Sequence, residues 1–80
     1  MKDKIIFVSN LCPDCTELIK DFDENPEKYK DYDFINITES MMNLKTYLSY
    51  RDHLVDFDKI KRDGKVGVPS MVEDGRLKLL

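Results

Sequence analysis

Four consecutive apolar residues, Ile5 to Val8, constrain the fold more than any other stretch of the sequence. A short β-branched and aromatic run of this kind is typical of a strand that is buried on both faces, as in parallel sheets. Apolar residues then recur at helical spacing from Cys15 to Phe22, and Pro26 should end that helix. The alternating stretch Tyr32 to Thr38 predicts a second strand. The first half of the chain is therefore predicted to be a β-α-β unit with parallel strands.

The second half predicts two helical segments and a terminal hairpin. Thr38 or Ser40 can cap a helix that runs to Arg51, and its two leading methionines are expected to fill the core. A further helical segment is predicted from His53 to Arg62. Asp74-Gly75 is a strong two-residue turn signal between two final strands. The chain is thus predicted to be one α/β domain over residues 1–80, with a mixed sheet of about four strands.

Length and charge restrict the partners of such a chain. It has 80 residues and a net charge of −3, and it has no cluster of basic residues. We therefore expect neither nucleic acid nor an anionic membrane as a partner. No apolar run reaches transmembrane length, and the charged start Met1 to Lys4 precedes an apolar run too short for a signal peptide. A cytoplasmic location is expected.

The two cysteines, Cys12 and Cys15, follow the first strand with two residues between them. Pro13 suits the first turn of a helix, which places Cys12 at the helix N-cap. The partial positive charge at a helix N-terminus would stabilise a thiolate at Cys12. Cys12 should be accessible, and Cys15 should be shielded on the inner side of the helix. This asymmetry suits dithiol exchange, in which Cys12 attacks a disulfide and Cys15 resolves the mixed disulfide.

Two other interpretations of the cysteine pair remain open. Both thiols can simply be buried hydrophobic groups. Zinc is a second alternative, but it needs four ligands, and the chain offers two cysteines and His53. A metal or iron–sulfur site would therefore have to be bridged between two chains.

The sequence resembles the glutaredoxins, a family with the thioredoxin fold. The resemblance rests on the strand before Cys12-Pro13-Asp14-Cys15, the strand Tyr32 to Thr38, the segment Gly67-Val68-Pro69 and the hairpin from Ser70 to Leu79. It implies a three-layer thioredoxin-like α/β fold, with Cys12 as the nucleophile and Cys15 as the resolving thiol. It also implies a cis Val68–Pro69 bond beside the sulfurs and substrate pairing along the Val68 backbone. The substrate-binding residues that it implies are Val68, Pro69, Pro13, Asp14, Asn10 and Leu11.

The sequence departs from the family in several places. Ser9 to Leu11 carry no basic residue for a glutathione carboxylate, although Lys45 or Arg51 can assist from the second helix. The sequence reaches Leu80 without the family's Gly-Gly element, and the family's final helix is expected to be missing. An apolar patch around Leu77, Leu79 and Leu80 would then favour a homo-oligomer through the open sheet face.

The predicted function is reduction of protein or glutathione mixed disulfides by the Cys12/Cys15 dithiol. No bound cofactor is expected, and the electron donor would be glutathione as co-substrate or a flavoprotein reductase. We further predict that the Asp14 carboxylate disfavours the thiolate and makes the pair more reducing. The alternatives are a thioredoxin-fold adaptor with dispensable cysteines, or the metal carrier bridged between chains.

Overall fold

The computed structural model describes residues 4–80 of the chain. Met1 to Asp3, the start of the segment on which the signal-peptide prediction rests, lie outside the described residues. Within the described part, none of the helices combines the length and the apolar character needed to cross a bilayer.

Four strands form one mixed sheet: β1 (Lys4–Val8), β2 (Asp33–Asn36), β3 (Ser70–Glu73) and β4 (Arg76–Leu79). Their order across the sheet is β2-β1-β3-β4. β1 pairs in parallel with β2, whereas the β1–β3 and β3–β4 pairs are antiparallel. The predicted β-α-β unit and terminal hairpin are therefore confirmed. β2 is shorter than the predicted strand Tyr32 to Thr38.

Three α-helices connect the strands: α1 (Thr16–Glu24), α2 (Met41–Arg51) and α3 (Asp58–Arg62). Short 3₁₀ turns lie at Pro13–Cys15, Pro26–Tyr29 and Val55–Phe57. Of the two predicted caps for α2, Ser40 is the one used, because its hydroxyl accepts a hydrogen bond from the Asn43 amide at 3.0 Å. The predicted helical segment from His53 to Arg62 is a 3₁₀ turn followed by the short α3.

β1 divides the core into two sides because its side chains alternate. Ile5 and Phe7 pack with buried residues of α2, α3 and the turn before α3, namely Tyr47, Phe57 and Ile60. Ile6 and Val8 pack on the other face with Cys15 and with half-buried residues of α1, namely Leu18 and Ile19. The sheet thus has helices on both faces, as predicted, and β1 is buried on both sides.

The prediction that Met41 and Met42 fill the core is wrong. Their side chains are 73% and 69% exposed. Tyr47, which is fully buried, sets the inward direction of α2. At 100° per residue, the two methionines point about 120° and 140° away from that direction. Helical spacing alone does not show which stripe of a weakly amphipathic helix faces the sheet.

The end of the chain agrees in part with the predicted apolar patch. Leu79 and Leu80 are exposed, whereas Leu77 is half-buried and packs against the core cluster that contains Phe57. The Leu77 amide also donates to an Asp56 carboxylate oxygen at 3.1 Å, which holds β4 beside the turn before α3.

Candidate active site

The turn after β1 places the two cysteines. The Cys12 amide donates to the Ser9 carbonyl at 3.1 Å, and the Cys15 amide donates to the Cys12 carbonyl at 3.0 Å. Cys12 has extended backbone angles and is the N-cap of the 3₁₀ turn that leads into α1. Its side chain is half-buried, whereas Cys15 is fully buried. The structure thus shows the difference in exposure that was predicted from the sequence.

The surroundings of Cys15 favour the neutral thiol. Burial is the largest effect and raises the pKa of Cys15, and the Cys12 side chain and the Asp14 charge raise it further. One group opposes them, because the Ser9 amide donates a hydrogen bond to the Cys15 sulfur at 3.4 Å and stabilises a thiolate there. Cys15 therefore keeps its proton near neutral pH. The Ser9 amide is already in place to stabilise the Cys15 thiolate when it forms.

Cys12 opens onto a cleft of about 950 Å³. Most of the predicted site residues line this cleft: Leu11, Cys12, Asp14, Val68 and Pro69. The Val68–Pro69 peptide bond is cis, as the resemblance implied. Chain segments that are far apart in the sequence therefore meet in one open cavity, where a disulfide of another molecule can reach the Cys12 sulfur.

Two predicted substrate-binding residues are not part of the cleft lining. Pro13 is the exposed first residue of the 3₁₀ turn next to Cys12, and it does not line the cleft. The Asn10 side chain accepts a hydrogen bond from the Thr38 hydroxyl at 3.1 Å. Asn10 therefore holds the loop rather than facing the cleft.

A hydroxyl pair fixes the loop that carries Cys12. The Ser9 and Thr38 side-chain oxygens lie 2.7 Å apart, and the Leu11 amide donates to the Ser9 oxygen at 3.1 Å. Ser9 follows β1 and Thr38 follows β2, so the pair joins the carboxyl ends of two neighbouring parallel strands. Neither residue was predicted as a site residue. Their proximity could have been predicted from the parallel pairing of β1 and β2, because the carboxyl ends of parallel strands meet at one edge of a sheet.

The segment before the cis bond is held by α2. The Tyr47 hydroxyl donates to the Val66 carbonyl at 2.7 Å, and Arg51 donates to the same carbonyl at 3.1 Å and to the Lys65 carbonyl at 2.7 Å. Burial raises the pKa of Tyr47 to about 12, so its hydroxyl remains a donor at any physiological pH. The Arg51 guanidinium therefore binds these carbonyls, which differs from the predicted assistance to a glutathione carboxylate. Lys45 is exposed and does not line the cleft.

Sequence reasoning missed two lysines that line the cleft. Lys59 comes from α3 and Lys65 from the segment that follows it. Among residues 4–80, neither ammonium group has an ion-pair partner. The carboxylates of Asp14 and Asp63 line the same cleft. No local pattern marks the two lysines, because only the packing of α3 against the sheet brings them towards Cys12.

The metal alternative requires several ligand side chains close together. Residues 4–80 contain no group of three or more histidine, cysteine or acidic side chains placed to hold one ion. His53, the third ligand considered above, is exposed, and its ring nitrogen Nδ1 lies 2.9 Å from the Ser49 carbonyl.

Fold and site together define a small α/β domain with a four-stranded mixed sheet and two unpaired cysteines at an open cleft. Over 72 residues the chain is 32% identical to a protein of Haemophilus influenzae that is described only as uncharacterized. The match covers 90% of this chain and 80% of that protein. The chain belongs to the same family as the Haemophilus protein. No family model matches the chain. No solved structure matches it.

Proposed function

We propose that the protein is a glutaredoxin-like thiol–disulfide oxidoreductase with a thioredoxin-like fold. The observation that carries the proposal is the pairing of a cleft-lining Cys12 with a buried Cys15 at the start of a helix. The strand order β2-β1-β3-β4, the helices on both faces and the cis Val68–Pro69 bond before β3 support the same assignment.

The reaction begins with the Cys12 thiolate. It attacks one sulfur of a substrate disulfide, forms a mixed disulfide, and releases the other half as a thiolate that takes up a proton. Cys15 then loses its proton, with its thiolate held by the Ser9 amide, and attacks the Cys12 sulfur. The Cys12–Cys15 disulfide forms, and the second half of the substrate leaves and is protonated. Two electrons pass from the dithiol to the substrate.

The Val68 backbone is the proposed strand-pairing edge for a peptide substrate. Val68 lines the cleft, and within residues 4–80 its amide and carbonyl make no hydrogen bond to another backbone group. A substrate chain that lies along this edge can pair with both groups, as peptides do when they add a strand to a sheet.

Glutathione is the proposed electron donor. It carries two carboxylates and one ammonium group, and the cleft offers Lys59 and Lys65 together with Asp14 and Asp63. The lysines supply the cations that the segment Ser9 to Leu11 lacks. Two glutathione molecules would reduce the Cys12–Cys15 disulfide and leave as glutathione disulfide, which balances the cycle.

The test is turnover of a glutathione mixed disulfide with glutathione as reductant. The wild type should be active, and Cys12→Ser should be inactive because the attacking sulfur is gone. Replacing both Lys59 and Lys65 with glutamine should raise the KM for glutathione, whereas Lys45→Gln is the matched control outside the cleft. Activity that survives in Cys12→Ser, or a wild type that is inactive with glutathione and with a flavoprotein reductase, would overturn the proposal.

A further inference from the structure

We propose that Tyr47 and Arg51 are positioning residues that set how well the cleft pairs with the backbone of a peptide substrate. The inference rests on the proposed function and deepens it, because it assigns substrate recognition to α2, which carries no residue of the cleft lining. Neither side chain needs to touch the substrate.

The hydrogen bonds that hold the segment come from one helix. Tyr47 and Arg51 lie four residues apart on α2, so they share one face of that helix. Their donors converge on the Val66 carbonyl, and Arg51 also reaches the Lys65 carbonyl. These carbonyls lie only two and three residues before Val68.

Few other hydrogen bonds hold the backbone of this segment, although the Val68 side chain packs against both core clusters. The Val66 side chain is 59% exposed, and Lys65 is exposed as well. Within residues 4–80, the other backbone hydrogen bonds of the segment 65–69 join the Lys65 amide to the Ile60 carbonyl at 3.0 Å and the Leu80 amide to the Pro69 carbonyl at 3.4 Å. The backbone between these two bonds therefore depends on α2 for its hydrogen bonds.

Gly67 lets the backbone approach Tyr47 closely. Its φ is +96°, and a Cβ atom at this position would lie 2.5 Å from the Tyr47 hydroxyl oxygen. The chain therefore passes directly over Tyr47 before it presents Val68 to the cleft. Loss of the α2 hydrogen bonds should free this stretch and misplace the Val68 amide and carbonyl, while the two cysteines on the turn after β1 stay where they are.

The experiment compares two disulfides in single turnovers with the reduced protein. One is a peptide joined to glutathione through a mixed disulfide, and the other is 2-hydroxyethyl disulfide, which has no peptide backbone. Arg51→Met removes every guanidinium donor, and we expect it to slow reaction with the peptide disulfide roughly tenfold. Its rate with 2-hydroxyethyl disulfide, and the alkylation of Cys12 by iodoacetamide, should match the wild type.

Three further variants make the result decisive. Arg62→Met is the control, because this exposed arginine ends α3 and does not line the cleft; it should leave both rates unchanged. Arg51→Lys keeps a single donor nitrogen in place of the guanidinium and should restore part of the peptide rate. Tyr47→Phe keeps the ring that packs 4.8 Å from Phe7 and should lower the peptide rate selectively, so it decides the question if Arg51→Met does not fold.

The outcomes separate the inference from the proposed function. A wild type that reacts with neither disulfide contradicts both. A wild type that reacts with both, together with folded variants that lose the two rates equally or lose neither, overturns the positioning role and leaves the oxidoreductase assignment intact.

Discussion

Replacing Gly67 with alanine should destabilise the protein far more than the same replacement at Gly64. Both glycines have positive φ angles, +96° at Gly67 and +72° at Gly64, so each variant carries backbone strain of about 1–2 kcal/mol. At Gly64 a Cβ atom meets nothing within 4 Å. At Gly67 it meets the Tyr47 hydroxyl at 2.5 Å and an Ile60 methyl at 3.1 Å. Forced overlap of this kind adds about 1–3 kcal/mol.

Displacement of Tyr47 would have a further cost. Its hydroxyl would lose the hydrogen bond to the Val66 carbonyl, which is worth about 1 kcal/mol. Gly67→Ala should therefore cost about 3–6 kcal/mol in the free energy of unfolding, against about 1–2 kcal/mol for Gly64→Ala. In a domain of this size each kcal/mol lowers Tm by roughly 4–8 °C.

Urea denaturation of both variants, followed by circular dichroism, measures the two costs. The same substitution in a Tyr47→Phe background tests the contribution of the hydroxyl, because the phenylalanine ring lacks the oxygen that the new methyl group meets. The hydrogen bond to the Val66 carbonyl is also absent there, so the cost of Gly67→Ala should fall by about 2–4 kcal/mol. Equal costs at Gly67 and Gly64, or the same cost of Gly67→Ala with and without the Tyr47 hydroxyl, would refute the close approach on which the positioning argument rests.

Two further predictions concern charge. Asp14→Asn removes a carboxylate that raises the pKa of Cys15. The redox potential of the Cys12/Cys15 pair should therefore become less negative, by on the order of 10 mV. An unchanged or more negative potential would contradict the proposed role of Asp14. Hydrogen bonds from Tyr29 and Lys28 lower the pKa of Asp21 to about 2, so its contribution to stability is present above about pH 4 and is lost as the pH falls towards 2. Urea midpoints measured across that range should fall less steeply for Asp21→Asn than for the wild type, and parallel curves would exclude the linkage.

The strands could be predicted from the sequence because their signals are local. The run Ile5 to Val8 is buried on both faces in the structure, as its unbroken apolar character indicated. The Asp74-Gly75 turn has φ values of +52° and +78°, which are the positive angles that its sequence favours. Cys12 is half-buried and Cys15 is buried because of their positions in the turn and helix after β1. The spacing of the two cysteines after the first strand also predicted this arrangement.

The rest of the site depends on packing between distant segments. Arg51 was predicted to assist a glutathione carboxylate because the sequence shows its charge but does not show which groups it binds. In the structure its guanidinium binds the Lys65 and Val66 carbonyls, which lie 14 and 15 residues further along the chain. Lys59 enters the site only because α3 packs beside the cleft. The exposure of Met41 and Met42 was not predicted for a related reason. The face of α2 that packs on the sheet is the one that carries the buried Tyr47, and the sequence alone does not identify that face.

The most direct test of the central claim is the mass of the adduct that Cys15→Ser forms with glutathione disulfide. If Cys12 attacks and Cys15 resolves, this variant should hold one glutathione on Cys12, because the sulfur that would displace it is absent. The wild type should instead form the Cys12–Cys15 disulfide and release both glutathione molecules, and Cys12→Ser should react slowly because Cys15 is buried. Equal labelling of the two single variants, or no adduct on Cys12 in Cys15→Ser, would contradict the assignment of these two thiols as an attacking and a resolving pair.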